Sequence, residues 1–375
     1  MIKVSEGILG KEELAAVREA FELGYFGMAP KVLEFEEAVR KYLGAQYVVS
    51  TNNCTSALHL AVDALGIGKG DEVITPSLTF IGAFQAISAT GATPVPADIY
   101  PDTLLVDIED VKKKITPQTK AIMPLDYAGN PCNLDALTKI AQEHGLRIIE
   151  DAAHAFGSHY KGKKIGSFGD IVCFSFDSIK NITCGEGGAV ICFDAELADI
   201  LRQKRACGMK RPGQGSADWK ERVPFVEVNM QGYRYHMSNI NASIGLEQLK
   251  KIDSFIARRR EICRRYDKAF KNAPSITCLP INYDNVAPHI YVIRVKNGLR
   301  NKLIEYLRDL HIETGINYVP NHLHHFYARK NVSLPETEKA FQEILTIPLH
   351  CGLSDDDVDR VIQSVTGGIK DLASG

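Results

Sequence analysis

From residue 48 to about residue 206 the chain alternates short β-rich runs with helix-length amphipathic segments. The runs are Val48–Thr51, Asp71–Thr75, Thr93–Ala97, Ala121–Leu125, Arg147–Glu150, Ile171–Phe176 and Ala189–Phe193. Helical periodicity fits Thr55–Leu65, Phe80–Thr90, Leu134–His144 and Ala195–Ala206, with turn residues between, as at Gly66–Gly70, Pro76 and Gly129–Pro131. Antiparallel strands can be joined by tight turns, whereas parallel strands need crossover segments, usually helices. The alternation therefore predicts an α/β fold with a mostly parallel sheet covered by helices on both faces. In such sheets ligands bind beyond the carboxyl ends of the strands, so the residues just after each run are the candidates for chemistry.

The texture changes near Ser238. Ile240, Ile244, Ile252, Ile256, Ile262, Tyr266 and Phe270 recur at helical spacing. They predict a long connecting helix, bent near Gly245, that leads into a smaller α/β domain. That domain is expected to hold a strand at Ile290–Val295 and helices at Lys302–Leu310 and Asp355–Val365. The reading is thus a large domain, 1–245, and a small one, 246–375. At about 150 residues per domain, 375 residues agree with two.

Composition excludes more than it identifies. With 44 basic and 46 acidic residues the formal net charge is −2, so no global field draws the protein to nucleic acid. No apolar run reaches the length of a membrane span. The opening residues carry charges where a signal peptide has its apolar core. Nine cysteines are scattered with no Cys-x-x-Cys pair, as expected of reduced thiols in the cytoplasm, with no metal site. Arg258, Arg259, Arg260, Arg264 and Arg265 read as a solvated helix face. Gly66–Gly70 reads as a turn, because Asp71 stands where a dinucleotide fingerprint needs its third glycine. His322, His324 and His325 beside Tyr327 read as exposed rings on a loop, with no carboxylate or thiolate placed to complete a metal site.

The stretch 147–188 is the informative one. An apolar run ends in Glu150 and Asp151, followed by His154. A second run ends at Ser175 and leads to Lys180, and the glycine-rich turn 185–188 follows. Taken singly, Asp151 would cap a turn and Lys180 would be an exposed loop charge. Together they suit pyridoxal 5'-phosphate, whose aldehyde takes a lysine and whose ring nitrogen takes a carboxylate. At about 4 Å and an effective dielectric near 20, that ion pair is worth about 4 kcal/mol, on the order of three pKa units. A phosphate needs amides at a helix N-terminus, and the segment from Thr51 through Thr55 and Ser56 provides one. Phe80 can give the ring an aromatic face, or it can be plain core packing.

These residues resemble the DegT/DnrJ/EryC1/StrS family of nucleotide-sugar aminotransferases, fold type I, aspartate-aminotransferase-like. The resemblance runs through Gly24-Tyr-Phe-Gly27, Gly70-Asp-Glu-Val-Ile-Thr-Pro-Ser-Leu-Thr-Phe80, Glu150-Asp-Ala-Ala-His154, Phe174-Ser-Phe-Asp-Ser-Ile-Lys180 and Ile347-Pro-Leu-His-Cys-Gly-Leu-Ser-Asp355. It implies that Lys180 forms the Schiff base and Asp151 meets the ring nitrogen. His154 then lies beside the ring, Phe80 stacks on it, and Ser175 with the amides of Thr55 and Ser56 holds the phosphate. Family members that dehydrate sugars carry histidine where Lys180 stands, so amino transfer is implied. The implied assembly is a homodimer with shared sites, the donor L-glutamate, and the acceptor a nucleotide-linked keto-deoxysugar. Asn181-Ile-Thr-Cys-Gly-Glu-Gly-Gly188 is similar to members that aminate C4 of 4-keto-6-deoxyhexoses for surface polysaccharides. Amination at C3 is the alternative, followed by another kind of pyridoxal-phosphate enzyme or a regulator that binds the cofactor. Three positions depart from the family pattern: Arg234 stands for its Asn, His236 for its Arg and Asn317 for its His. Arg234 is expected to take over the phosphate contact in the neighbouring subunit.

Overall fold

The computed structural model describes residues 1–210, 227–328 and 332–374. Its central sheet has seven strands: Tyr47–Thr51, Glu72–Pro76, Thr93–Ala97, Thr119–Ile122, Arg147–Asp151, Ile171–Ser175 and Gly188–Cys192. Across the sheet they run in the order 47–51, 188–192, 171–175, 147–151, 119–122, 72–76, 93–97. Gly188–Cys192 is antiparallel to both its neighbours, and the remaining pairings are parallel. Each expected run becomes a strand, with ends shifted by at most three residues.

Helices cover both faces. On one, the first helices Lys11–Glu22 and Pro30–Leu43 pack on the long helix Asn239–Phe270. Phe35, Val39, Phe174, Phe176 and Ala242 share that core. On the other, Cys54–Ala64, Ile81–Ala89 and Ala195–Arg205 bury Leu58, Leu60, Ile87, Leu197 and Leu201 against the sheet.

The long helix starts at Ser238, whose hydroxyl accepts the Asn241 amide at 3.1 Å, a standard N-cap. It is continuous through Gly245. A Cβ there would lie 2.5 Å from Cys184 Sγ and 2.7 Å from the Phe35 ring. Glycine at 245 thus serves close approach. Ile252 and Ile256 belong to the large core, while Ile262, Cys263, Tyr266 and Phe270 belong to a second one. The two cores therefore divide within the helix, between Ile256 and Ile262.

The second core sits under a three-stranded antiparallel sheet, Ile276–Cys278, Tyr291–Val295 and Ile344–Ile347. Helices Arg300–Asp309 and Asp355–Ser374 cover it, and Ile2 joins it from the start of the chain. Two expectations of exposure are corrected. Arg259 is buried, donating to the carbonyls of His289 and Leu349 at 3.0 and 3.1 Å. His322 is also buried, with Nδ1 2.7 Å from Ser77 Oγ and Nε2 3.3 Å from Glu338. In both places buried carbonyls or hydroxyls needed partners, which residue spacing does not reveal. Among the described residues no helix is long and apolar enough to cross a membrane, and no group of His, Cys, Asp and Glu gathers to hold a metal ion.

Candidate active site

The carboxyl ends of the strands open into a cavity of about 520 Å³. Thr55, Phe80, Asp151, His154, Ser175 and Lys180 all line it, brought together from four separate segments of the chain. Topology explains the convergence. Arg147–Asp151 and Ile171–Ser175 are adjacent parallel strands, with Asp151 in register with Cys173, so Asp151 and Ser175 end on the same side. Gly188 lies between Ser175 and Thr51. A Cβ on Gly188 would fall 2.5 Å from the Asn53 carbonyl and 2.7 Å from the Cys54 amide nitrogen. The missing side chain lets the N-terminus of helix Cys54–Ala64 settle onto the strand ends.

That helix is capped by Asn53, whose Oδ1 accepts the Ser56 amide at 2.8 Å. Ser56 is buried behind the cap and does not line the cavity, whereas Thr55 does. Gly82 faces Thr55, and a Cβ on it would sit 2.6 Å from Thr55 Oγ1, so the wall is narrow here. Phe80 is the N-cap residue of Ile81–Ala89 and keeps 55% of its surface exposed. Its ring lies 5.9 Å from that of Tyr318, so it offers a face to the cavity instead of filling the core.

Asp151 is buried, and its Oδ1 accepts the Ala153 amide at 3.2 Å. Desolvation pushes its carboxyl up to about 6, against smaller opposing effects of that hydrogen bond and of Lys180. Lys180 is half-buried, and loss of solvent around its amine lowers its pKa from the ordinary lysine value. Its Nζ lies 3.2 Å from His289 Nε2. His154 is held on both ring nitrogens. The Ala128 amide donates to Nδ1 at 3.3 Å, which places the proton on Nε2, 2.8 Å from Tyr318 Oη. Burial, followed by the neighbouring Lys180, keeps the ring well below the usual histidine pKa and hence neutral. Arg234 is exposed and does not line this chain's cavity.

The donor set suits pyridoxal phosphate. It combines an enclosed amine, a buried carboxyl short of a cationic partner, an uncovered aromatic face and a helix N-terminus beside a serine hydroxyl. Lys180 would carry the covalent link, Asp151 would meet the ring nitrogen, and His154 and Phe80 would flank the ring. The Thr55 amide with Ser175 Oγ would receive the phosphate. With the cofactor's cationic ring nitrogen beside it, Asp151 would become the better anion it is not in the free cavity.

The family model of the DegT/DnrJ/EryC1/StrS aminotransferases matches residues 8–366. The chain belongs to that family. Its members are pyridoxal-phosphate-dependent aminotransferases, and so is this protein. It is 40% identical to the spore coat polysaccharide biosynthesis protein SpsC of Bacillus subtilis, over 97% of this chain and 96% of that one. Among solved structures it is similar to the aminotransferase TlmJ from Streptoalloteichus hindustanus, with a TM-score of 0.92 and 37% identity over the whole of both chains. It is also similar to Helicobacter pylori PseC, an aminotransferase involved in the biosynthesis of pseudoaminic acid. There the TM-score is 0.93 and the identity 30%, over 99% of each chain. The fold is therefore the type I fold of this family, as expected.

Asn53 and Tyr318 also line the cavity, and His289 stands behind it against Lys180, though none of the three is an expected site residue. Asn53 had a legible signal, since it precedes a helix at the N-cap position. Tyr318 follows the departing position Asn317 and carries no signal of its own. His289 carries no motif, and its place beside Lys180 arises from packing between segments 109 residues apart.

Proposed function

We propose that the protein transfers the amino group of L-glutamate to a nucleotide-linked keto-deoxysugar, at C4 of a 4-keto-6-deoxyhexose, supplying an amino sugar for a surface polysaccharide. The observation that carries amino transfer is Lys180 and Asp151 facing one cavity. The segment Asn181–Gly188 supports C4, and the parts of SpsC in spore coat polysaccharide biosynthesis and of PseC in pseudoaminic acid biosynthesis support a sugar acceptor. Pyridoxal phosphate, when bound, supplies the electron sink that lets a donor's α-proton leave. Lys180 Nζ, freed by the incoming amino acid, takes that proton as base and returns it as acid. The buried, neutral His154 and the ring of Phe80 would flank the cofactor ring and restrain its orientation toward Lys180 Nζ.

The active unit is a homodimer. Asp151, Asp177 and Glu186 line the cavity, yet among the described residues Lys180 is the only lysine or arginine that lines it. A cofactor phosphate and a nucleotide diphosphate need more positive charge than one amine gives. Exposed Arg234 supplies it to the cavity of a second copy. Phe21, Leu23 and Phe26 form an exposed apolar patch suited to that contact. All nine cysteines are free, in keeping with a cytoplasmic enzyme.

The test is spectroscopic. The visible band of the purified protein should shift when glutamate is added and return with a nucleotide 4-keto-6-deoxysugar; NMR of the product then locates the new amine. A band unmoved by glutamate overturns the donor, and an amine at C3 overturns the position.

A further inference from the structure

His289 precedes the strand Tyr291–Val295 in the C-terminal part of the chain; it does not line the cavity, yet its ring reaches Lys180, which does. The residue is buried and held at both backbone ends. Its carbonyl accepts Arg259 Nη1 at 3.0 Å, and its amide donates to the Ala128 carbonyl at 3.4 Å. Its ring packs on that of His154 with centroids 4.5 Å apart. Nε2 meets Lys180 Nζ at 3.2 Å, while Nδ1 is buried with no partner among the described residues. A buried ring nitrogen left unpaired is unfavourable, and packing alone would be served as well by an apolar side chain. The contact with Lys180 is what distinguishes this ring.

We infer that His289 is a positioning residue for Lys180: its Nε2 accepts a hydrogen bond from Nζ–H and turns the lone pair of the amine into the cavity. The inference rests on Lys180 being the residue that links to the cofactor. Forming that link makes one C=N bond, and the aldehyde oxygen leaves as water with both hydrogens of the neutral amine. Only an unprotonated Nζ with its lone pair aimed at the carbonyl carbon can begin the step. The imidazole suits the task because it stays neutral. Burial, Lys180, His154 and Arg259 all hold its pKa well below the usual histidine value. Cys54, Asp151 and Asp177 are the other titratable groups facing Lys180.

The test uses the full chain freed of cofactor by dialysis and separates capture from simple binding. Capture is the growth of the visible band on mixing with pyridoxal phosphate. Binding is the affinity for 4-deoxypyridoxine 5'-phosphate, which has no aldehyde and forms no link. His289→Leu should slow capture by about tenfold or more at neutral pH, the scale of a misaimed reacting group, and leave affinity for the analogue unchanged. His289→Gln, which keeps an acceptor, should recover most of the rate. Capture at the wild-type rate in His289→Leu overturns the inference. So does a parallel loss of analogue affinity that Gln does not rescue, since that marks a merely structural role. Lys180→Ala should show no band at all. A band in that variant overturns the assignment of Lys180 itself, a failure distinct from one confined to His289.

Discussion

His154 Nε2 lies 2.8 Å from Tyr318 Oη, and this bond fastens the loop after strand Arg147–Asp151 to the C-terminal part of the chain. The Ala128 amide already occupies Nδ1, so the ring has one tautomer available and Tyr318 receives its proton. The same tyrosine ring stands near Phe80. Tyr318→Phe removes the acceptor and leaves a buried N–H unpaired. Stability should fall by about 1–3 kcal/mol in urea denaturation, with cofactor affinity reduced in the same variant. An unchanged midpoint would show that water replaces the hydroxyl.

Asp151 sets a pH dependence in the cofactor-free protein. Its carboxyl titrates near 3.8 unfolded and is pushed up to about 6 by burial. Between those values the folded state binds more protons than the unfolded one, so stability is full below pH 3.8 and declines as pH rises toward 6. The shift corresponds to about 3 kcal/mol. Asp151→Asn should therefore be more stable than wild type at pH 7 by up to about that amount, and equal to it near pH 3. Activity should fall in the same variant by about a hundredfold or more, because Asn cannot hold a cationic ring nitrogen. Equal stability at pH 7 would contradict a carboxyl whose burial outweighs its hydrogen bond and the nearby Lys180.

Lys180→Ala should lose transamination by about a thousandfold or more, the range expected when the proton-moving group is deleted. The visible band should vanish with it, while the fold, read by circular dichroism, stays intact.

Arg234→Ala tests the shared site. Loss of a charge-assisted contact to phosphate should weaken cofactor retention by about tenfold, measured by equilibrium dialysis. The cofactor-free stability of each chain should not change, because Arg234 is exposed. Unaltered retention would sink the idea that it reaches a second copy's phosphate.

Gly245→Ala pits helix propensity against packing. Alanine favours an isolated helix by about 1 kcal/mol over glycine. Here the new Cβ would meet Cys184 Sγ at 2.5 Å and the Phe35 ring at 2.7 Å, with both residues in the packed core. Overpacking of that kind costs about 1–3 kcal/mol, so net destabilisation is expected in thermal unfolding. A rise in stability would mean that the long helix can shift away from the sheet.

Much of this protein is legible residue by residue. Thr93–Ala97 and Leu134–His144 end where period and turn residues put them, because each is a local pattern of apolar spacing with a cap. Asp151, Ser175 and Lys180 were legible because strand ends in a parallel sheet share one side. Phe80 fits core or site equally well by sequence, and its exposed ring at the cavity excludes plain core packing. Arg259 and His322 are buried where their spacing predicts exposure, for one reason: what a residue touches from a distant segment leaves no trace in its own neighbours.

The alternation after residue 48 thus determined the layered α/β sheet, the side on which the site lies and the amine and carboxyl that equip it. Those properties follow from short-range periodicity and from the geometry of parallel strands. Tertiary structure alone decided the environment that makes the pair chemically distinctive. Burial raises Asp151, His289 from the C-terminal part meets Lys180, and Gly188 admits the helix end beside them. Desolvation and hydrogen-bond geometry depend on which segments pack together, and that is set by the whole chain at once.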